Sequence, residues 1–326
     1  KPTKAGCIQI NTTEIYIYNT RTELMFSSII KDSIKWETER KGTPGKLTFT
    51  VIKDKTADFN EGNPVLFKYN GENVFYGFVF SKSRDKEHHI NVTAYDQLRY
   101  LKNKQTYAYK NKSADELIKM IAKDFKLQIG ELESTGYKMD DIQDNATLFD
   151  IIQNSLNETI LNKNQMFVLY DDFGKLTLKN ATNMLIPTDF IISEDTAQNF
   201  DYKSSIDDQT YNQIYLYSEN GQTYVAKDSA NIKNLGVLQL TEKFTDNENP
   251  QAKSAALLSL YNNVSRSLKI NNAFGDIRAR AGASIFVNLN IGDIILRNYM
   301  LIEKATHTFE DNLHTMNLDL RKGSFL

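Results

Sequence analysis

The sequence predicts a mainly β fold with an α+β insert: two tube-like antiparallel β-barrels and a helical/β accessory domain. Three observations lead there. Apolar residues alternate with polar ones through both ends of the chain, the period becomes helical in the middle, and a glycine-bounded strand pattern near the start recurs near the end. At 326 residues the chain is long enough for two or three domains, each with its own core. The expected boundaries are 1–100 for the first barrel, 101–200 for the insert, and 201–326 for the second barrel, which carries one inserted helix.

From residue 7 to residue 96 strand follows strand. Leu47, Phe49 and Val51 alternate, as do Val65, Phe67 and Tyr69. Thr43-Pro44-Gly45 is a turn signal ahead of the first run, and Asn70-Gly71 suits the left-handed backbone of a tight hairpin leading into residues 74–80. After Lys110 the period changes. Ser113 with Glu116 three residues later is a capping box, and Leu117, Ile118, Ile121, Ala122 and Phe125 then share one helical face. A second helix from Thr147 buries Leu148, Ile151, Ile152 and Leu156, followed by a hairpin around Asp171-Asp172-Phe173-Gly174.

Strands resume at 211–217, 223–226 and 237–240. A helix capped by Asn249 and opened by Pro250 then carries Ala252, Ala255, Ala256 and Leu260. Residues 284–289, 294–297, 299–309 and 313–320 form a last meander. No low-complexity linker separates these parts, so packed domains are expected.

The repeat is the most informative internal feature. Gly62-x-x-Val65-x-Phe67-x-Tyr69 returns as Gly282-x-x-Ile285-x-Val287-x-Leu289, 220 residues later. Ile90-x-Val92-x-Ala94 returns as Met316-x-Leu318-x-Leu320 at a displacement of 226. Turns absorb such a drift easily, so duplication of one barrel is the expectation.

Composition narrows the function. With 39 basic and 41 acidic residues, no net charge draws the chain to phosphate backbones or anionic lipid, and neither a membrane nor a sequence-specific nucleic-acid partner is expected. No apolar stretch approaches the ~18 residues of a membrane span, and residues 1–10 lack the apolar block of a signal peptide. A protein made in the cytoplasm is expected. Cys7 is the only cysteine and there are four histidines, so neither a disulfide framework nor a zinc site is expected.

The acidic pairs Asp140-Asp141, Asp171-Asp172 and Asp207-Asp208 read as turn residues rather than glycosidase carboxylates. His307 and His314 flank a turn and would share a sheet face if its loop had two residues; they read as barrel-surface histidines. His88-His89 reads as the edge of a solvated loop. There is no nucleophile elbow, phosphate-binding loop or metalloprotease motif, so no catalytic, cofactor-binding or metal residues are assigned.

One strand carries the candidate site. Residues 74–80 are apolar on both faces, with Phe75 and Val79 on one side and Tyr76, Phe78 and Phe80 on the other. A solvated barrel wall has one apolar face only, so Val74, Phe75, Tyr76, Phe78, Val79 and Phe80 are expected to serve interdomain or intersubunit burial.

Five strings spread along the chain carry a resemblance. They are Gly45-Lys-Leu-Thr-Phe-Thr-Val51, Glu61-Gly62-Asn63-Pro64-Val65, Tyr95-Asp96-Gln97-Leu98-Arg99-Tyr100-Leu101-Lys102-Asn103, Tyr170-Asp171-Asp172-Phe173-Gly174-Lys175-Leu176 and His314-Thr315-Met316. In this order they resemble the central baseplate hub protein of PBSX-type prophages, contractile phage tails and phage-tail-like bacteriocins. The resemblance implies a structural protein, not an enzyme, without cofactors. It implies a homotrimer on the tail axis between a six-fold tail tube protein and a three-fold spike protein, in contact with other baseplate proteins and assembled into a virion or tail-like particle. A tail-associated peptidoglycan hydrolase and a cell-wall-binding module are the alternatives.

Overall fold

The computed structural model describes residues 11–27, 29–52, 58–207, 209–245 and 248–322; Cys7 lies outside them. Strands β1 (Thr13–Asn19), β2 (Leu24–Ser27), β3 (Ile30–Glu39), β4 (Lys46–Val51), β5 (Pro64–Tyr69), β6 (Glu72–Arg84) and β7 (Ile90–Tyr95) make one antiparallel ladder. Its order is β3-β4-β7-β6-β5-β1-β2. Alternation sends Leu47, Phe49, Val65, Phe67 and Val79 into one core, which also receives Ile15 and Ile17 from β1 and Ile34 and Trp36 from β3. The sheet therefore curls until both ends touch the same core. Hydrogen bonds do not close it into a ring among the described residues, because the outer edge of β3 is already occupied by a strand of the second ladder.

The insert begins with a 3₁₀ turn, Gln97–Lys102, whose first N–H groups are capped by Asp96. It continues through β8 (Lys104–Lys112), α1 (Ala114–Asp124), β9 (Ile129–Leu132), β10 (Met139–Thr147), α2 (Leu148–Lys163), β11 (Phe167–Asp171) and β12 (Leu176–Asn180). The Ser113–Glu116 capping box forms, and Thr147 caps α2 by accepting from the Asp150 N–H. Leu117, Ile118 and Ile121 of α1 then meet Leu148, Ile151 and Ile152 of α2 in a core of their own.

Next come β13 (Ile191–Ile192) and β14 (Ala197–Ser205). A small unit follows: β15 (Gln213–Tyr217), β16 (Thr223–Lys227), α3 (Ser229–Leu235), β17 (Gln239–Lys243) and α4 (Pro250–Tyr261). Its separate core holds Ile214, Leu216, Phe244 and Leu257. The chain ends in β18 (Ser265–Phe274), β19 (Ser284–Ile291), β20 (Ile294–Glu310) and β21 (Leu313–Arg321). These rejoin β14 in the order β14-β18-β21-β20 with β19 beside β20. The mainly β class with an α+β insert is thus the observed one.

Five strands of the second ladder repeat five of the first in the same order. β3-β4-β7-β6-β5 and β14-β18-β21-β20-β19 are both antiparallel throughout. Gly62 N donates to Val79 O at 2.7 Å and Gly282 N to Ile302 O at 2.8 Å, each from a glycine with left-handed φ, +86° and +92°. One residue later each ladder has a register shift, between Val79 and Ser81 in β6 and between Ile302 and Lys304 in β20. A bulge at the same ladder position is a far more specific coincidence than shared alternation. β20 then continues past β19, and its second half pairs with β3, Lys304 to Glu39 through Phe309 to Ile34. The two ladders are joined there into one sheet.

Candidate assembly surface and its buried joint

The candidate strand is β6. Phe75 and Val79 are 3% and 1% exposed and face the first core, where Val74 packs half-buried. The opposite face is covered by the same chain. Tyr76 lies 5.8 Å from both Phe78 and Phe173, Phe78 lies 6.1 Å from Tyr100, and Phe80 lies 5.5 Å from Tyr95 and 5.9 Å from Tyr100, ring centre to ring centre. The Arg99 guanidinium sits 5.4 Å over Phe80. The 97–102 turn and the 171–174 hairpin of the insert therefore rest on the outer face of β6.

Beneath this contact lies a polar joint that sequence reading missed. Asp96 is 4% exposed. One carboxylate oxygen accepts from Gly45 N at 2.8 Å and the other from Leu98 N at 3.0 Å. Asp171, 6% exposed, accepts from Gly174 N at 2.7 Å through Oδ1. Arg280 enters from the second ladder, donating from Nη2 to the Asp171 carbonyl at 2.9 Å and stacking 4.1 Å over Tyr170. Asp171 Oδ2 and Arg280 Nε are buried with no hydrogen-bond partner. Burial lifts the Asp171 carboxyl to about 6 against the pull of the Gly174 N–H. Burial also raises Asp96, and the Asp171 carboxylate pushes it further. Gly45, Asp96 and Asp171–Gly174 belong to three of the five strings that carry the resemblance, so those strings meet at this buried joint.

The seam between the ladders is the second polar feature. Arg40 holds Glu303 with two bonds, 2.8 Å from Nε and 2.9 Å from Nη2, and Arg321 adds a third contact at 2.9 Å. Asp311-Asn312 forms a two-residue turn, so His307 and His314 share a face as the shorter loop requires. They are not barrel-surface residues, however: they are 0% and 5% exposed. The β3 strand covers His307, stacking Trp36 on it at 4.9 Å. His307 Nε2 must donate to the Ala279 carbonyl at 2.9 Å, so its Nδ1 accepts from His314 Nε2, also at 2.9 Å. Burial depresses them to about 4 and about 3, and the pair is neutral at pH 7.

The remaining candidates resolve into structure. Asp171 does turn work, but Asp140 and Asp141 lie within β10 instead of a turn; Asp140 Oδ1 accepts from Asn111 N at 2.6 Å. Asp207 N bonds Ser205 Oγ at 3.1 Å, and Asp208 lies outside the described residues. Asp85, Glu87 and His89 bring oxygen and nitrogen atoms within 4.8 Å of one another. The Lys31 ammonium stands among them, 3.1 Å from Glu87 and 3.4 Å from His89, and supplies the positive charge. Among the described residues no helix is long and apolar enough to cross a membrane.

Comparison with known proteins agrees with this geometry. The chain is 30% identical over 314 residues to the protein YqbQ of Bacillus subtilis (strain 168), spanning 91% of this chain and 94% of that protein. It is 30% identical over 307 residues to the phage-like element PBSX protein XkdQ of the same bacterium, spanning 90% and 92%. The 43 kDa tail protein of prophage MuSo2 from Shewanella oneidensis shares the fold, with a TM-score of 0.70 at 11% identity over 96% of this chain and all of that one. The PBSX-type resemblance read from the five strings is borne out. A family model described as YQBQ-like matches residues 34–321, from within β3 to the end of β21, and the chain belongs to that family.

Proposed function

We propose that the chain is a structural component of a phage-type tail, and within it the central baseplate hub: a homotrimer that adapts a six-fold tail tube to a three-fold spike. The observation that carries this reading is the repeated ladder with its bulge at the same position. Two equivalent units per chain give six in a trimer, which is how a three-fold object presents six similar surfaces to a six-fold ring. The polar centres support the same reading. Asp96, Asp171 and the histidine pair are buried, and with the half-buried Arg280 they hold one part of the chain against another, so none of these groups favours the hydrolase or the wall-binding alternative. Native mass spectrometry of the purified chain, alone and co-expressed with the neighbouring tail gene products, tests the oligomer. A mass of three chains is expected, and particles imaged with this subunit labelled should carry the label on the tail axis. A monomer in both preparations, or a label away from the axis, overturns the proposal.

A further inference from the structure

The seam that joins the two ladders uses one edge of each, and the repetition leaves the equivalent two edges unused. Within the chain, β3 of the first ladder pairs with the second half of β20 in the second. The strand equivalent to β3 is β14, which has β18 on one side and no strand on the other among the described residues. The segment equivalent to the second half of β20 is Ser81–Arg84 of β6. It has β7 on one side and, past the end of β5, no strand on the other among the described residues. We propose that β14 of one copy pairs antiparallel with Ser81–Arg84 of a second copy, continuing the sheet between subunits as β3 and β20 continue it within one. This rests on the trimeric reading above and gives it an interface.

The register follows from the ladders. Lys304 faces Asp319 as Ser81 faces Thr93, and Trp36 faces Leu47 as Tyr202 faces Leu268. Carrying the pairs Lys304–Glu39 and His307–Trp36 across sets Ser81 opposite Ser205, Lys82 opposite Ser204, and Arg84 opposite Tyr202. The chemistry matches. Where His307 stacks on Trp36, Arg84 would stack on Tyr202. Exposure agrees as well. Ile34 and Trp36, covered by β20, are 2% and 4% exposed, while their counterparts Phe200 and Tyr202 are only half-buried against their core. Two edges of matching register, each without a neighbouring strand among the described residues, make a head-to-tail contact, which closes into a ring or runs on as a filament.

Paired cysteines test it, in chains with Cys7→Ser. Ser81→Cys with Ser205→Cys and Lys82→Cys with Ser204→Cys sample the two kinds of antiparallel neighbour, whose Cα atoms lie about 4.5 and 5.5 Å apart. Ser81→Cys with Asp201→Cys is the out-of-register control. On oxidation, at least one in-register pair should give a reducible species that stops at three chains, and the control should give none. Mixing chains that carry single cysteines should give two-chain products only. A trimer by native mass spectrometry that cross-links in neither in-register pair overturns the strand pairing and leaves the hub reading standing. Cross-linking that runs beyond three chains supports the pairing and overturns the closed trimer. A chain that is monomeric and uncross-linked overturns both.

Discussion

Asp171 and the histidine pair titrate in opposite senses across the same acid range. The folded Asp171 carboxyl is raised to about 6 from an ordinary 3.8, so the folded state takes up a proton first and gains stability as pH falls from about 6 to about 4. His307 and His314 are depressed from 6.5 to about 4 and about 3. The unfolded chain protonates them first, and the stability they contribute at neutral pH is lost as pH falls from 6.5 to about 3. Asp171→Asn keeps the bond from Gly174 N and removes the buried charge. The variant should match or exceed the wild type in urea midpoint at pH 7.5 and lose that advantage by pH 4, a relative change of roughly 2–3 kcal/mol. Its own decline below pH 6.5 should be steeper, because the compensating gain is absent. Parallel curves for the two proteins would show that Asp171 is ionised normally. These residues were only partly legible. The caps at Ser113, Thr147 and Asn249 are local patterns and the sequence shows them. The meeting of Asp96, Asp171 and Arg280 is tertiary, with the last two 109 positions apart, and nothing near any of them announces it.

At the scale of elements, one close approach governs the joint. A Cβ added at Gly45 would collide with the Asp96 carboxylate that its N–H donates to. Gly45→Ala should therefore cost about 1–3 kcal/mol, read as a lowered urea midpoint, whereas Gly42→Ala meets open space but has a left-handed φ of +64° and should cost about 1 kcal/mol. β6 gives a sharper contrast. Phe75→Asp or Val79→Asp puts a charge in the first core and should abolish folding. Phe78→Asp charges the face on which the 97–102 turn rests, so the ladder should survive while limited proteolysis cuts first near that turn; equal protease resistance would mean that the contact holds nothing. The sequence showed β5, β6, β7, α1 and α2 because strong alternation or caps mark them. It did not show β14 or β18. In β14 only Phe200 and Tyr202 are apolar side chains of any size at its inward positions, and in β18 the polar residues outnumber Leu268, Ile270 and Ala273. Edge-like strands with one thinly apolar face carry little period-2 signal. The joining of the two ladders is equally silent in the sequence: no local pattern says that the edge of β3 is taken by β20.

At the scale of the whole molecule, the repeat separates what the sheet needs from what has been added to it. In the first ladder, β3 and β4 are joined by the short turn 40–45. In the second, β14 and β18 are joined by residues 206–264, which hold β15 to β17, α3, α4 and their own core. The ends of that excursion lie side by side, since Ser205 and Ser265 are ladder partners. A chain in which 206–264 is replaced by a six-residue turn copied from 40–45 should consequently fold with both ladders intact. The cost should come from α2, where Leu161 packs half-buried against the removed unit and Glu158, raised by burial, lies near Lys253. Uncovering one such apolar side chain is worth about 1–2 kcal/mol, a modest fraction of a domain's stability. Cooperative urea unfolding with a slightly lower midpoint is expected, together with the mass of three shortened chains in native mass spectrometry, because neither β14 nor Ser81–Arg84 is touched. If the shortened chain is folded but monomeric, the excised unit carries the subunit contact and the strand pairing does not. If it cannot fold although Ser205 and Ser265 remain adjacent, the second ladder depends on 206–264, and the two ladders are alike in order without being equivalent as folding units.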